Sequence, residues 1–312
     1  VDGIGDIALP VTSATALQLR ALATQAKFGK GEKTVLNKKV RDTFEIGAAK
    51  LKINIDDAAM TKLLNVMCNG LGLPANARLV PHLHNLLIYE AGQFFKPHQD
   101  SEKVQGMVAS LIIALPSPHI GGNLLIKHAK DRHNFVSENL SAHDLKCVAF
   151  YADCEHEITK VSQGYRNALS YNLVLKSVID ASQNLASAAN PALQAALKAH
   201  FFPREKPAAD SEPIKLAYFF DHSYTEHSLR WNLLKGADSK NAAAFLNAAK
   251  ALKLTPHLAL VNIHQTWDVE EHGGYGYDDD DDDPDLRDMI EETIHLAFWL
   301  DAKDQPLPYG KC

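Results

Sequence analysis

The chain has 312 residues, 46% of them hydrophobic and 22% charged, and a formal net charge of −6. Those are the proportions of a soluble globular protein whose core is large enough to need no disulfides or structural metal. The acidic balance disfavours a nucleic-acid partner, which as a rule requires a basic excess.

The N-terminal third reads mainly as helix. Ala14 to Lys27 is rich in Ala, Leu and Gln. Asp56 or Asp57 caps a helix through Met60, Leu63, Leu64, Met67 and Cys68, closed by Gly70 and Gly72. Residues 1–77 are therefore expected to be a helical support region. From Arg78 the texture changes to short apolar or alternating runs: Leu86–Tyr89, Met107–Leu115, Asn123–Lys127, Cys147–Tyr151, His156–Val161 and Ala168–Leu175. Many short strands at this spacing predict a sandwich or barrel over 78–178. No helical pattern between Met107 and Leu175 is long enough for a crossover, which disfavours a parallel sheet.

Residues 179–213 are Ala-, Ser- and Pro-rich and read as a linker with a helix at Pro191–His200. The C-terminal region, 214–312, reads as α/β. It has a strand at Ile214–Phe220, a helix at Asn241–Leu252, a strand at Leu258–Ile263 and a last apolar run at Ile294–Leu300. Trp231, Trp267 and Trp299 are expected in its core. Charge is uneven: residues 1–176 carry +4 and residues 177–312 carry −10. Six acidic groups stand in one run, Asp278–Asp283, within an acidic loop at 278–285. Consecutive carboxylates repel one another and read as a solvated loop, whereas a calcium site needs spaced ligands and a glycine turn.

The cysteines, Cys68, Cys147, Cys154 and Cys312, form no CxxC pair and read as reduced thiols of a cytoplasmic protein. Val1–Leu19 shows no basic segment leading into an apolar one, so no secretory leader is expected there. No apolar run is long enough to cross a membrane.

The chemistry-bearing pattern is His98-Gln99-Asp100. In extended chain, residues i and i+2 share a face, so the imidazole and the carboxylate address one point. By composition such a triplet arises about once by chance, so its context decides. That context is His156, several strands later, and Arg166, ten residues beyond. Two histidines and one carboxylate on one face of a metal leave positions open, the arrangement used for non-haem Fe(II) and O₂. A nearby arginine can grip the carboxylate of an oxo-acid with two parallel hydrogen bonds. His82, His84, His119, His128, His133 and His143 lack a paired zinc-ligand spacing with cysteines. Glu155 and Glu157 flank His156 and read as solvated. Glu102 and Lys103 either face substrate or form a surface pair. Gly121-Gly122 reads as a turn or a close strand approach, with no Lys-Ser/Thr after it to make a phosphate loop.

Three stretches resemble one family: Tyr89-Glu-Ala-Gly-Gln-Phe-Phe-Lys-Pro-His98-Gln-Asp100-Ser-Glu-Lys, Leu115-Pro-Ser-Pro-His-Ile-Gly121-Gly122-Asn-Leu-Leu-Ile, and Phe150-Tyr-Ala-Asp-Cys-Glu-His156 through Gly164-Tyr-Arg166. They are similar to the Fe(II)- and 2-oxoglutarate-dependent dioxygenases, in particular the prolyl 4-hydroxylase-like branch, over about residues 78–176. The resemblance implies an α+β fold: a double-stranded β-helix (jelly-roll) core with flanking N-terminal helices and an additional C-terminal α/β region. It implies His98, Asp100 and His156 as Fe(II) ligands and catalytic centre, Arg166 on the distal carboxylate of 2-oxoglutarate, and Tyr89 as a further co-substrate contact. O₂ is the co-reactant and ascorbate a supporting reductant. The implied activity is hydroxylation of a C–H bond in a protein, peptide or small amino-acid-like substrate, with succinate and CO₂ as co-products, and without nucleic acid or membrane. The chain departs from relatives with an Arg-x-Ser pattern, since residue 168 is Ala and Ser170 follows two further on. The alternatives are a metal protein of cupin-like chemistry and a non-catalytic interaction module keeping the fold. Arg166 and the complete His98/Asp100/His156 set favour the oxygenase over both.

Overall fold

The computed structural model describes residues 1–30, 33–73, 77–176, 190–203, 215–269 and 286–308. The run Asp278–Asp283, Ile214 and Cys312 lie outside the described residues.

Helix α1, Ser13–Leu22, begins at Thr12, whose side-chain oxygen accepts from the Thr15 amide at 3.2 Å. It ends five residues short of the expected Lys27. Thr24 and Gln25 instead form β1, and Gln25 Nε2 donates to Asp42 Oδ1 and the Thr43 carbonyl. Strand pairing overrides the helical propensity of this stretch. Strands β2 (Phe28–Lys30), β3 (Lys33–Val35), β4 (Arg41–Asp42) and β5 (Phe44–Gly47) follow. Helix α2, Asp57–Gly70, is capped by the Asp56 carboxylate on the Ala59 amide. The mainly helical reading of 1–77 thus meets five short strands. Phe44 and Ile46 are buried on alternate positions of β5, a period-2 signal too short to stand out in the sequence.

The remaining strands are β6 (Arg78–Glu90), β7 (Phe94–His98), β8 (Met107–Ala114), β9 (His119–Gly121), β10 (Leu124–His128), β11 (Asp131–Phe135), β12 (Lys146–Tyr151), β13 (Glu155–Ile158) and β14 (Val161–Lys176). They build two antiparallel sheets. One runs β1-β5-β6-β14-β8-β12, with β9 also paired to β14; the other runs β11-β10-β13-β7-β4. The core is one cluster drawn from both sheets, including Leu86, Ile88, Leu111, Ile113 and Leu173 from the larger and Phe95, Leu124, Ile126 and Ile158 from the smaller. Two sheets closing on one core make the jelly roll, and with the helices the fold class is α+β. The short strands β7, β9 and β11 escape the sequence reading. Pro97 interrupts β7, and β11 (Asp131–Phe135) is polar and exposed over all but its last residue.

Contacts divide the chain into two compact units. The first holds residues 1–187 with 215–223 and 232–243; the second holds 188–214, 224–231 and 244–312. The boundary expected at 213/214 therefore does not coincide with this division, because stretches beyond it pack with the jelly roll. The run 215–220 forms no strand. In the second unit, helix α3 is Pro191–Phe201, with Asn190 as its cap. Helix α4, Gly236–Leu252, crosses the division at residue 243. Strands β15 (Leu258–Val269) and β16 (Leu286–Leu300) pair as an antiparallel ribbon. Trp231 and Trp299 are half-buried and Trp267 is exposed, so none of the three is a fully buried core residue. A two-stranded ribbon has no second layer in which to bury a large ring. No described helix is long and apolar enough to cross a membrane.

Gly164 shows how tightly the strands approach. It lies at φ +75°, and a Cβ there would stand 2.2 Å from the Pro118 carbonyl oxygen. Gly47, by contrast, has open space around it. Gly164→Ala should cost about 2 kcal/mol or more, because backbone must move, while Gly47→Ala should change stability by no more than about 0.5 kcal/mol. Urea unfolding midpoints of the two variants check this ordering.

Candidate functional site

The β7–β13 ladder sets His98 directly opposite His156. Both rings are fixed the same way: His98 Nδ1 lies 2.8 Å from the Lys96 carbonyl and His156 Nδ1 3.0 Å from the Cys154 carbonyl. Each Nδ1 must donate to its carbonyl, so each Nε2 is left as a lone pair, the form that binds a metal. His98 stacks on Phe95 at 3.5 Å between centroids, and His156 packs against Phe150 at 4.6 Å. Asp100 lies two residues past the end of β7, held by its amide to the Ala152 carbonyl at 3.0 Å. Its Oδ2 accepts a short hydrogen bond from Ser110 Oγ and stands 3.8 Å from His156 Nε2. One ligand atom from each of His98, Asp100 and His156 fits within a 4.8 Å group. Burial, and then the neighbouring His156, lowers the His98 pKa to about 3, which keeps its imidazole neutral.

Arg166 and Tyr89 are direct partners across the β14–β6 ladder. Both are fully buried, and the guanidinium carbon stands 5.5 Å from the Tyr89 ring centroid. Nε, Nη1 and Nη2 of Arg166 are all buried with no hydrogen-bond partner. A buried guanidinium left so is costly, by several kcal/mol for a charge without a counter-charge. Burial pushes its pKa down, and Tyr89 acts in the opposite direction. The backbone makes room for this side chain at Gly122, at φ +68°, where a Cβ would meet Arg166 Cδ at 2.8 Å and Val161 Cγ2 at 2.7 Å. The glycine pair thus serves close approach, and its second member seats the arginine. Ser170 is half-buried further along β14, on the same side of the strand pattern as Arg166.

A second group with metal-like composition is His128, Asp153 and His222. Its carboxylate is already satisfied. Asp153 Oδ1 accepts from Lys235 Nζ at 2.9 Å, and Oδ2 from His222 Nδ1 at 3.0 Å and the Ser223 amide at 2.8 Å. Burial raises the Asp153 pKa, but the His222 hydrogen bond and the Lys235 charge outweigh it and hold the carboxyl well below the usual range. A second cation would have to displace an ammonium that is itself buried. Among the described residues no ammonium or guanidinium pairs with Asp100, and the donor set of His98, Asp100 and His156 fits the two-histidine, one-carboxylate centre. The unpartnered Arg166 fits an anion that brings two acceptors.

Of the expected residues, His98, Asp100 and His156 stand together at the smaller sheet, and Arg166 and Tyr89 are partners on the larger. Glu155 pairs with Lys127 at 3.2 Å, and Glu102 accepts from the Gly106 amide at 2.8 Å. Ser110, Asp153, His222 and Lys235 escape the sequence reading. A serine in the middle of the apolar run Met107–Leu115 was the available signal for the first. Nothing local marks the other three, which lie as far as 82 residues apart along the chain.

Residues 84–174 match the family model described as the 2OG-Fe(II) oxygenase superfamily. No curated protein sequence matches the chain. Among solved structures, it is similar to a Pseudomonas putida prolyl-4-hydroxylase at 18% identity and a TM-score of 0.33, over 52% of this chain and 84% of that one. It is also similar to a Trichoplax adhaerens prolyl hydroxylase solved with a hypoxia inducible factor peptide fragment, at 15% identity and a TM-score of 0.37, over 52% and 74%. A cupin superfamily protein of Desulfitobacterium hafniense shares 10% identity at a TM-score of 0.21, over 49% and 99%. The two sheets and the facing histidines with Asp100 agree with that match, and residues 84–174 carry the pattern of the 2OG-Fe(II) oxygenase superfamily.

Proposed function

We propose that this domain hydroxylates a C–H bond of a protein, peptide or amino-acid-like substrate, consuming 2-oxoglutarate and O₂ and releasing succinate and CO₂. The observation that carries the reading is the buried Arg166 guanidinium with three unpartnered nitrogens in the same jelly roll as the His98/Asp100/His156 group. A cupin-like metal protein has no need of that arginine, and a non-catalytic module has no reason to retain its cost. Fe(II) with 2-oxoglutarate and O₂ supplies the oxidising chemistry, and ascorbate serves as supporting reductant. The chain supplies placement. His98 and His156 offer Nε2 because Lys96 and Cys154 hold Nδ1. Asp100 offers its carboxylate, whose rotation Ser110 fixes through Oδ2. Arg166, fully buried, would take the distal carboxylate of 2-oxoglutarate away from bulk water, where a charge-assisted pair is strong. Tyr89 walls the guanidinium from the β6 side. Residues 78–178 form the catalytic core in this reading, and the substrate class follows the resemblance of Tyr89–Lys103 to the prolyl 4-hydroxylase-like branch. A cytoplasmic location follows the reading of the cysteines as reduced thiols.

Anaerobic addition of Fe(II) and 2-oxoglutarate should produce a weak visible charge-transfer absorption in the wild type and none in His98→Ala; an equal absorption in both would overturn the reading. Arg166→Ala should weaken 2-oxoglutarate binding by about 100-fold while leaving Fe(II) binding nearly intact, as calorimetric titration can show. Arg166→Met should raise the melting temperature of the ligand-free protein, because it removes an uncompensated buried charge.

A pH effect follows from His98. The unfolded imidazole takes a proton near 6.5, the folded one only near 3. The unfolded chain therefore gains protons first, and stability falls as pH drops through that window. The metal-free wild type should lose more stability between about pH 7 and about pH 5 than His98→Ala does, measured by denaturant unfolding at the two values.

A further inference from the structure

Three consecutive carbonyls of one short loop bond to residues at or beside the expected ligands. The Ala152 carbonyl accepts from the Asp100 amide at 3.0 Å. The Asp153 carbonyl accepts from Gln99 Nε2 at 2.7 Å. The Cys154 carbonyl lies 3.0 Å from His156 Nδ1. Residues 152–154 thus hold one expected ligand by its backbone, the other by its ring, and the residue before Asp100 by its side chain. From behind, the loop is held by the Asp153 carboxylate, while Cys154 packs into the core.

The anchor comes from two stretches of chain distant in sequence, 215–223 and 232–243, both within the first unit. Asp153 receives the Lys235 ammonium, the His222 ring and the Ser223 amide, as given above. Lys235 also donates to the Ser223 carbonyl at 2.8 Å, closing the group. Asp238 fixes the other side of the turn, accepting from the Asp221 amide at 2.9 Å and the His222 amide at 3.0 Å. His222 is sandwiched by rings: His128 stacks on it at 4.3 Å and the edge of Tyr151 meets it at 4.5 Å. Tyr151 in turn donates to the Leu71 carbonyl at 2.6 Å and accepts from the Gly236 amide at 2.9 Å. Lys235 and Asp238 are both buried. A clasp with both carboxylate oxygens satisfied by buried partners holds the loop in a single position.

We propose that Asp153, gripped by Lys235, His222 and Ser223, is a positioning residue that sets the 152–154 carbonyls and so the geometry of the metal ligands Asp100 and His156. This rests on the reading of His98, Asp100 and His156 as the metal ligands. Outer contacts of this kind orient ligands and change metal affinity without touching the metal. Residues 215–223 and 232–243, which the sequence assigns to a separate region, thereby become part of what shapes the centre.

The test uses the full chain freed of metal and titrated with Co(II), whose visible bands report ligand geometry and require no turnover. Melting temperatures of the metal-free forms are measured alongside. Asp153→Asn should bind Co(II) about 10–100-fold more weakly than the wild type, with altered band intensities. Gln99→Ala, at an exposed side chain whose loss leaves the fold intact, should also bind more weakly, at an unchanged melting temperature. Wild-type affinity and spectrum in a folded Asp153→Asn would overturn the proposal, as would a lowered melting temperature with unchanged Co(II) affinity. Should Asp153→Asn not fold, Gln99→Ala decides: weaker Co(II) binding supports the proposal and wild-type binding overturns it. If the wild type binds no Co(II), or His98→Ala binds as the wild type does, the metal reading itself fails and the clasp falls with it.

Discussion

The centre depends on an irregularity in one short ladder. Between the pairs His156–His98 and Ile158–Phe95, β13 advances by two residues and β7 by three. Without that extra residue, Phe95 and His98 would point to opposite faces, because side chains alternate along a strand. With it, both turn inward, and the two rings stack. Pro97 stands within the bulge, where its missing amide hydrogen costs the ladder nothing. The bulge also brings the Lys96 carbonyl to His98 Nδ1. A single inserted position thus decides that His98 faces His156, and every later feature of the site is built against that pair.

The larger sheet contributes a different constraint. Arg166 is carried into the core by β14 and left there without a hydrogen-bond partner. Burial of this kind opposes folding, so the surrounding apolar contacts of β6, β8 and β14 must hold the strand in place against it. The arrangement keeps the guanidinium ready for an anion and avoids reorganisation when one arrives, which is the physical content of preorganisation. Gly122 is the matching concession on the opposite chain segment, where any Cβ would occupy the space of the arginine stem.

The two polar groups of similar composition show why residue type is a poor guide by itself. His98/Asp100/His156 and His128/Asp153/His222 each hold two histidines and an aspartate. In the second, a buried lysine already neutralises the carboxylate and the backbone of Ser223 occupies its other oxygen. In the first, Ser110 takes a single position on the carboxylate and His156 Nε2 lies 3.8 Å from it. The difference is the presence of Lys235, which arrives from 82 residues away. It neutralises one carboxylate and leaves the other without a buried ammonium.

Much of this was legible in the residues alone. The short strands from Arg78 onward, the antiparallel arrangement, the His98-x-Asp100 pattern with His156 and Arg166, and the caps of the α2 helix are local or periodic signals, and local geometry expresses them directly. The close approach at Gly121-Gly122 was legible too, though not that it accommodates Arg166. What the sequence by itself left open were features that depend on a distant partner. Strands β4 and β5 exist because β7 and β6 offer edges to pair with, and β1 pairs in turn with β5. The inward turn of His98 needs the β13 register. The isolation of the Arg166 charge, and the capture of Asp153 by Lys235 and His222, are decided only when segments far apart in the chain are folded together. Side-chain type and spacing fix which chemistry is available; burial and register decide which copy of that chemistry is left unsatisfied, and an unsatisfied group is what a ligand can complete.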